Sequence, residues 1–376
     1  MNMNEYLKEY EVKLHALSPI HIGSGIKIGK KEYIYMPWNH QVIIPDIQKL
    51  YLELQKKGLE REFQEYMFNH SPKSPSLGKW LANYRFTGED YKRWAKYEMD
   101  AGEAFASRES APPKDIDAFV KDAYGMPYVP GSSLKGVIRT ALIAWEIQNN
   151  PKKYDKIRSA IISKSGERAN RKQCLQNETK TLEQEVLFLL KHDEKKSGNA
   201  VNDIMSGLRV SDSHPIRVKQ LTLSQKIDYS LDHREKPVPL LRESLIPGTE
   251  ICFELTIDTI ICPYDITDIM DALNCFQKIC YHHFYSRFQR GTEKENIVWL
   301  GGGCGFLSKT ILYPLLGKDA VKVIDNIYKN TLGPNYHTHK HNKDLSLQLA
   351  PHVCKCTKYQ GTLYDMGMAQ IQYQKI

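Results

Sequence analysis

The segment Tyr128–Leu142 reads YVPGSSLKGVIRTAL and gathers hydrogen-bond donors at one point of the chain. An extended arrival ends at Pro130, Gly131 bends the backbone, the hydroxyls of Ser132 and Ser133 follow, and a helix begins whose first turn carries Lys135. Arg139 stands one turn further along on the same side. A helix N-terminus offers unpaired N–H groups and a partial positive charge, so with these side chains it suits a phosphate of a nucleic-acid backbone. Gly131 would let such a strand approach closely, Gly136 keeps the helix surface open, and Ser132 is placed as the N-cap. The same residues equally describe a capped helix with exposed basic side chains, and their types alone do not separate the two readings.

A second cluster, Gly301, Gly302, Gly303 and Gly305 ahead of Ser308 and Lys309, invites comparison with a nucleotide-binding loop. It fails on spacing: a P-loop needs glycine directly before its lysine, where Ser308 stands, and no further glycine completes a dinucleotide fingerprint. A run of small residues can instead admit an extended RNA strand against bare backbone, with Lys309 on a phosphate; an ordinary tight turn is the plain alternative. His337, His339 and His341 alternate, and Cys354 and Cys356 follow, but spacings of one residue fit poorly with the C-x2-4-C and H-x3-5-H patterns of closed zinc sites. No metal or cofactor is therefore expected. His15 and His21 could act as general bases, yet neither has an evident acid partner, so no catalytic residue is assigned.

The elements that position these residues follow from periodicity. Residues 8–17 alternate with Val12, Leu14 and Ala16 on one face, a strand leading into SPIHIGSG. KKEYIYM and HQVIIP flank a turn at Pro37–Asn39, and Asp46 starts a short helix containing Leu50 and Leu54. Residues 58–125 read as a helical excursion punctuated by SPKSPS at 71–76 and SAPP at 110–113. Leu134, Val137, Ile138, Ala141, Leu142 and Trp145 form the apolar stripe of the helix that follows. The segment 150–200, with KSGERANRK in its middle, holds twelve Lys/Arg against seven Asp/Glu and reads as a solvated basic insertion of helices and loops. Strand character returns in GLRVSDS, VKQLTLSQKID and GTEICFELTIDTII, followed by a helix over 264–288, the glycine loop, a helix near 318–330 and a pair of segments joined at Gln360-Gly361. The alternation of strand, helix, strands, helix and strand, read twice, predicts an α+β fold of two ferredoxin-like (RRM-like) domains, 1–150 and 201–376, with helical insertions.

With 376 residues, 52 Lys and Arg, and 44 Asp and Glu, the chain carries a formal charge of +8, which favours an anionic partner without naming it. No run approaches the roughly 20 apolar residues of a membrane span, and the start MNMNEYLKEYEVKL is charged where a signal peptide is apolar. The expectation is a cytoplasmic protein without a membrane partner, whose eight irregularly spaced cysteines are reduced thiols.

In order along the chain, LSPIHIGSG, KKEYIY, YVPGSSLKGVIRTAL, GLRVSDS, GGGCGFLSKT, HKHNKD and CKCTKYQG together resemble the RAMP proteins of CRISPR systems, most closely the fifth subunit of the type III-A Csm effector complex. The resemblance covers both ends and the middle, leaving out the two insertions. It implies a non-catalytic subunit that holds the 3′ part of the crRNA guide, caps the filament of backbone RAMP subunits and supports crRNA maturation in antiviral defence. The backbone RAMP subunit and the small subunit would be neighbours, and a crRNA-trimming nuclease a further partner. By the same resemblance the guide-contacting residues are His21, Gly23, Ser24 and Gly25, then Gly131, Ser132, Ser133, Lys135 and Arg139, then Gly302, Gly303 and Lys309. Two alternatives stay open: a RAMP-type endoribonuclease using His15 or His21 as base on the 2′-OH, and the capping subunit of a type III-B complex.

Overall fold

The computed structural model describes residues 6–105, 115–168, 170 and 173–376. The strand Leu7–Ala16 buries Val12, Leu14 and Ala16 as the alternation predicts, and it lies at the centre of a five-stranded sheet. Its neighbours are Glu250–Asp258 on one side and Met368–Lys375 on the other, both antiparallel, with Leu208–Val210 and Ile297–Trp299 at the edges. The long helices Gly131–Asn149 and Ile266–His283 pack against each other and onto the two edge strands. Of the predicted stripe, Leu134, Ile138, Ala141 and Leu142 are fully buried.

A nine-stranded sheet lies beside it. Its main path runs Gly23–Ile28, Ile116–Phe119, Glu235–Leu245, Leu221–Ser230, Ala95–Asp100, Gln41–Pro45, Ile34–Met36, while Val353–Tyr359 and its hairpin partner Thr362–Asp365 branch from Leu221–Ser230. Pairing is antiparallel except where Ile116–Phe119 meets Glu235–Leu245 and where Ala95–Asp100 touches Leu221–Ser230. The result is a mixed α/β fold. The expected division into 1–150 and 201–376 does not separate the sheets, because each draws strands from both parts of the chain.

Both insertions differ from expectation. The excursion contains the predicted helices Glu60–Phe68, Leu77–Asn83 and Gly88–Arg93, whose Phe63, Tyr66, Trp80 and Tyr91 form a satellite core with Ile34, Ile43 and Leu50. Its later part supplies Ala95–Asp100 and Ile116–Phe119 to the main sheet; the SAPP punctuation lies outside the described residues. The basic segment is packed rather than solvated: its helices Asp155–Ser165 and Gln176–Leu187 bury Ile157, Ile161, Leu182 and Val186 in the main core. Part of KSGERANRK also lies outside the described residues. No helix among the described residues is long and apolar enough to cross a membrane.

Glu243 joins the strands at the centre of the larger sheet. Its carboxylate is fully buried, accepts the Tyr97 hydroxyl at 2.6 Å and the Phe119 N–H at 2.7 Å, and pairs with Lys121. The regular pairing between Ile116–Phe119 and its parallel neighbour ends at Asp117, so the Glu243 side chain takes the next N–H that the ladder leaves free. The Lys121 ammonium lies 4.5 Å from the Tyr97 ring centroid, and burial, then the Glu243 charge, holds the Tyr97 phenol un-ionised. Replacing Glu243 by Ala strands Lys121 and two donors in this interior. Urea unfolding of Glu243→Ala should give a stability lower by about 3–5 kcal/mol, the cost of breaking a buried pair from one side, whereas removal of an exposed pair such as Arg61–Glu65 should cost under about 1 kcal/mol.

Candidate nucleic-acid interface

The helix mouth at Gly131 already holds an anion belonging to the protein. The N-cap is Pro130, not Ser132, and the Gly131 N–H donates to Asp212 Oδ1 at 2.9 Å. Gly131 is required by the chain's own packing: a Cβ there would lie 2.2 Å from the Val210 carbonyl oxygen and 2.3 Å from that of Ser211. Lys135 Nζ donates to the Leu208 carbonyl at 2.7 Å, and desolvation lowers its pKa. Arg139 is held between Glu183 at 2.5 Å and Asp203 at 2.7 Å, which anchors the basic insertion to the helix. Ser132 and Gly136 remain exposed, with Ser133 half-buried.

The two other glycine segments come together. Gly302 N–H donates to the His21 carbonyl at 2.7 Å, and Gly301, at φ +86°, approaches so closely that a Cβ would lie 2.2 Å from that same oxygen. His21 through Gly25 is not a loop throughout: Gly23–Ile28 is a strand with an irregular register against Ile116–Phe119, and Ser24 Oγ donates to the Ala118 carbonyl at 3.1 Å. The His21 ring is buried, with Nδ1 2.6 Å from the Glu243 carbonyl oxygen and its plane edge-on to Phe119. Desolvation, reinforced by the nearby Arg242 charge, lowers its pKa. His15 projects from the exposed face of its strand.

Around the glycine cluster stand cations that the sequence reading did not single out. Arg242 reaches Gly303, with its nearest carboxylate, Asp117, 4.0 Å away. Lys355 borders Gly305 and pairs with Asp228 at 2.7 Å, while Lys226 lies 3.7 Å from the same carboxylate. Burial lowers the pKa of Lys226, and repulsion from Lys355 and Arg242 lowers it further. Three cations thus share two carboxylates, and Lys309 adds an exposed one on the turn Leu307–Lys309. Periodicity could not have found Lys226, which sits where the register of its strand shifts, between Gln225 and Ile227.

This surface can be compared with known proteins. The family model of the RAMP superfamily matches residues 13–308. A curated relative from Streptococcus thermophilus, CRISPR system Cms protein Csm5, is 30% identical over 314 residues, covering 82% of this chain and 81% of that one. The chain belongs to the RAMP superfamily and, within it, to the Csm5 family. A Mycobacterium tuberculosis protein of the same name is 26% identical across 99% of this chain and 100% of its own length. Two solved structures share the fold: a chain of a Csm–crRNA–target RNA ternary complex of a type III-A CRISPR-Cas system, at TM-score 0.64 and 19% identity over 96% of this chain and 100% of that one, and T.onnurineus Csm5, at TM-score 0.62 and 17% identity over 95% and 99%. The RAMP match takes in both glycine segments, Lys226 and Arg242, and ends just before Lys309.

His21 of this RAMP protein is a built-in reporter of the joint between its glycine segments. A folded-state pKa below the ordinary value near 6.5 means that the folded protein favours the neutral ring. Its contribution is complete above about pH 6.5 and is lost as the pH falls below that value toward the depressed one. Denaturant titrations of wild type and His21→Gln across pH 7.5 to 5 should therefore diverge, with the wild type losing more stability on acidification; parallel curves would show that the ring does not titrate against the fold.

Proposed function

We propose that this protein is a non-catalytic, crRNA-binding subunit of a type III-A CRISPR effector complex, and that it caps the guide's 3′ end and supports crRNA maturation in the cytoplasm. The observation that carries the reading is the convergence of the two glycine segments over Lys226, Arg242, Lys355 and Lys309, where bare backbone lies beside cations in excess of their carboxylates. Phosphates of a single strand are the partner such a surface fits, and contacts of this kind position a backbone without reading its sequence. The names of the curated relatives place the same family in CRISPR systems, and a chain of like fold was solved in a complex containing crRNA. Guide crRNA, the backbone RAMP subunit, the small subunit and a trimming nuclease are the partners this reading gives.

The strand order of the smaller sheet supports the ferredoxin-like part of the proposal. Leu7–Ala16, helix Gly131–Asn149, Leu208–Val210, Glu250–Asp258, helix Ile266–His283 and the C-terminal strand run as strand, helix, strand, strand, helix, strand, and the strands lie side by side as fourth, first, third, second. The non-catalytic reading is supported by the two histidines: one is buried against a backbone carbonyl and the other lies on the exposed face of its strand.

On single-stranded RNA, each lost phosphate contact should reduce the slope of log K against log salt by about 0.7. Arg242→Ala and Lys309→Ala should each do so, and filter binding over a salt series measures it. Unchanged slopes in both would sink the assignment of this surface, and a reduced slope in Lys135→Ala would return the helix mouth to the interface.

The capping role predicts one copy per assembled complex and, in its absence, guides with altered 3′ ends, both read by native mass spectrometry. Several copies, or normal guide ends without the protein, would exclude a terminal cap; a cut in precursor RNA that disappears in His15→Ala or His21→Ala would establish the nuclease alternative.

A further inference from the structure

Of the alternating histidines, only His341 turns inward; His337 and His339 stay exposed. Its partners are further along the chain. His341 Nδ1 lies 3.0 Å from Asp344 Oδ2, and His352 Nδ1 hydrogen-bonds with the other carboxylate oxygen of the same residue. The two imidazole rings are 5.2 Å apart and inclined by 70°, so their nitrogens converge on the carboxylate from different directions. One ligand atom from each residue falls within a common 4.8 Å span. Ligands of a tetrahedral zinc site with bonds of about 2.0–2.2 Å stand about 3.4 Å apart, so an ion held here would replace the two His–Asp hydrogen bonds and spread those contacts slightly.

Charge supplies the second argument. The Asp344 side chain has no exposed surface, and among the described residues no lysine or arginine pairs with it. A carboxylate so deeply placed calls for a cation. The neighbouring trio Cys354, Cys356 and Asp365 shows the contrast: its carboxylate is already paired with Arg290 at 2.6 Å and receives the Gly291 N–H at 2.8 Å, so Asp365 has a cation without a metal. We propose that His341, Asp344 and His352 form a divalent-metal site that takes zinc, with a fourth position open to water between the side chains of His341 and His352, which remain 11% and 13% exposed. The site would clasp the turn His341–Lys343 and helix Asp344–Leu347 to the residue that precedes strand Val353–Tyr359, the strand that carries Lys355.

The test uses the purified full-length chain, stripped with chelator and titrated with zinc ion alone. One zinc per chain by elemental analysis and a raised thermal midpoint are expected, together with a visible cobalt(II) spectrum of tetrahedral type on substitution. His352→Ala should weaken zinc binding by more than the about 10–100-fold that loss of an outer-sphere partner costs and should abolish the cobalt spectrum, while His339→Ala should change neither. Asp344→Asn provides a second variant of the same prediction. Less than stoichiometric zinc in the wild type, or wild-type affinity in either folded variant, would overturn the proposal and leave a hydrogen-bonded triad; neither outcome depends on RNA binding.

Discussion

The buried carboxylate of Glu243 is the constraint around which this molecule is arranged. An ion of that kind removed from water costs several kcal/mol unless attraction and hydrogen bonds return it, so its partners must be in place before the sheet is stable. Those partners come from Tyr97, Phe119 and Lys121, and the backbone carbonyl of the same residue receives His21. One residue, through its side chain and its carbonyl, thereby fixes the positions of three otherwise separate segments. Successive residues of a strand face opposite ways, and Arg242, next in the chain to this inward anchor, is directed to the glycine segments. The anchor and the cation beside the glycines are set by one strand.

The cations so placed are poorly matched within the free protein. Lys226 is disfavoured in its charged form by burial and by two like charges, and Arg242 by burial with only a distant carboxylate in compensation. In both cases the surroundings disfavour the charged form. A bound polyanion would relieve this, so under the proposed function the stability given up in the empty state lies at the same place as the affinity. Arg139, by contrast, is matched by two carboxylates and belongs to the scaffold.

Much of the scaffold was legible in the sequence because local patterns decided it. The strand with Val12, Leu14 and Ala16, the hairpin around Pro37–Asn39, the Asp46 cap and the helix stripe through Leu134 and Ile138 all follow from spacing alone, and the structure reproduces them. The site was legible in its glycines and Lys309, and not in Lys226, Arg242 or Lys355. Strand Glu235–Leu245 carries Pro237 and Pro239, which cannot donate to a ladder, yet the strand tolerates them and supplies both Arg242 and Glu243. Ser132 lost the cap position to a carboxylate brought from Asp212, which no local rule could anticipate. Gly131 was read as making room for a ligand strand, when the backbone it makes room for is the protein's own Val210–Ser211.

Interleaving has a last consequence for how the site comes to exist. The first strand, Leu7–Ala16, pairs with the final one, Met368–Lys375, and His21 meets Gly302 across most of the chain. Contacts so distant in sequence must overcome loop-closure entropy before they return any stability. The glycine joint, with Arg242 from the middle and Lys355 from the end, therefore cannot form in either half alone. The joint is a property of the completed chain, and the packed basic insertion, anchored at Arg139 and Arg158, serves that completion by filling the main core.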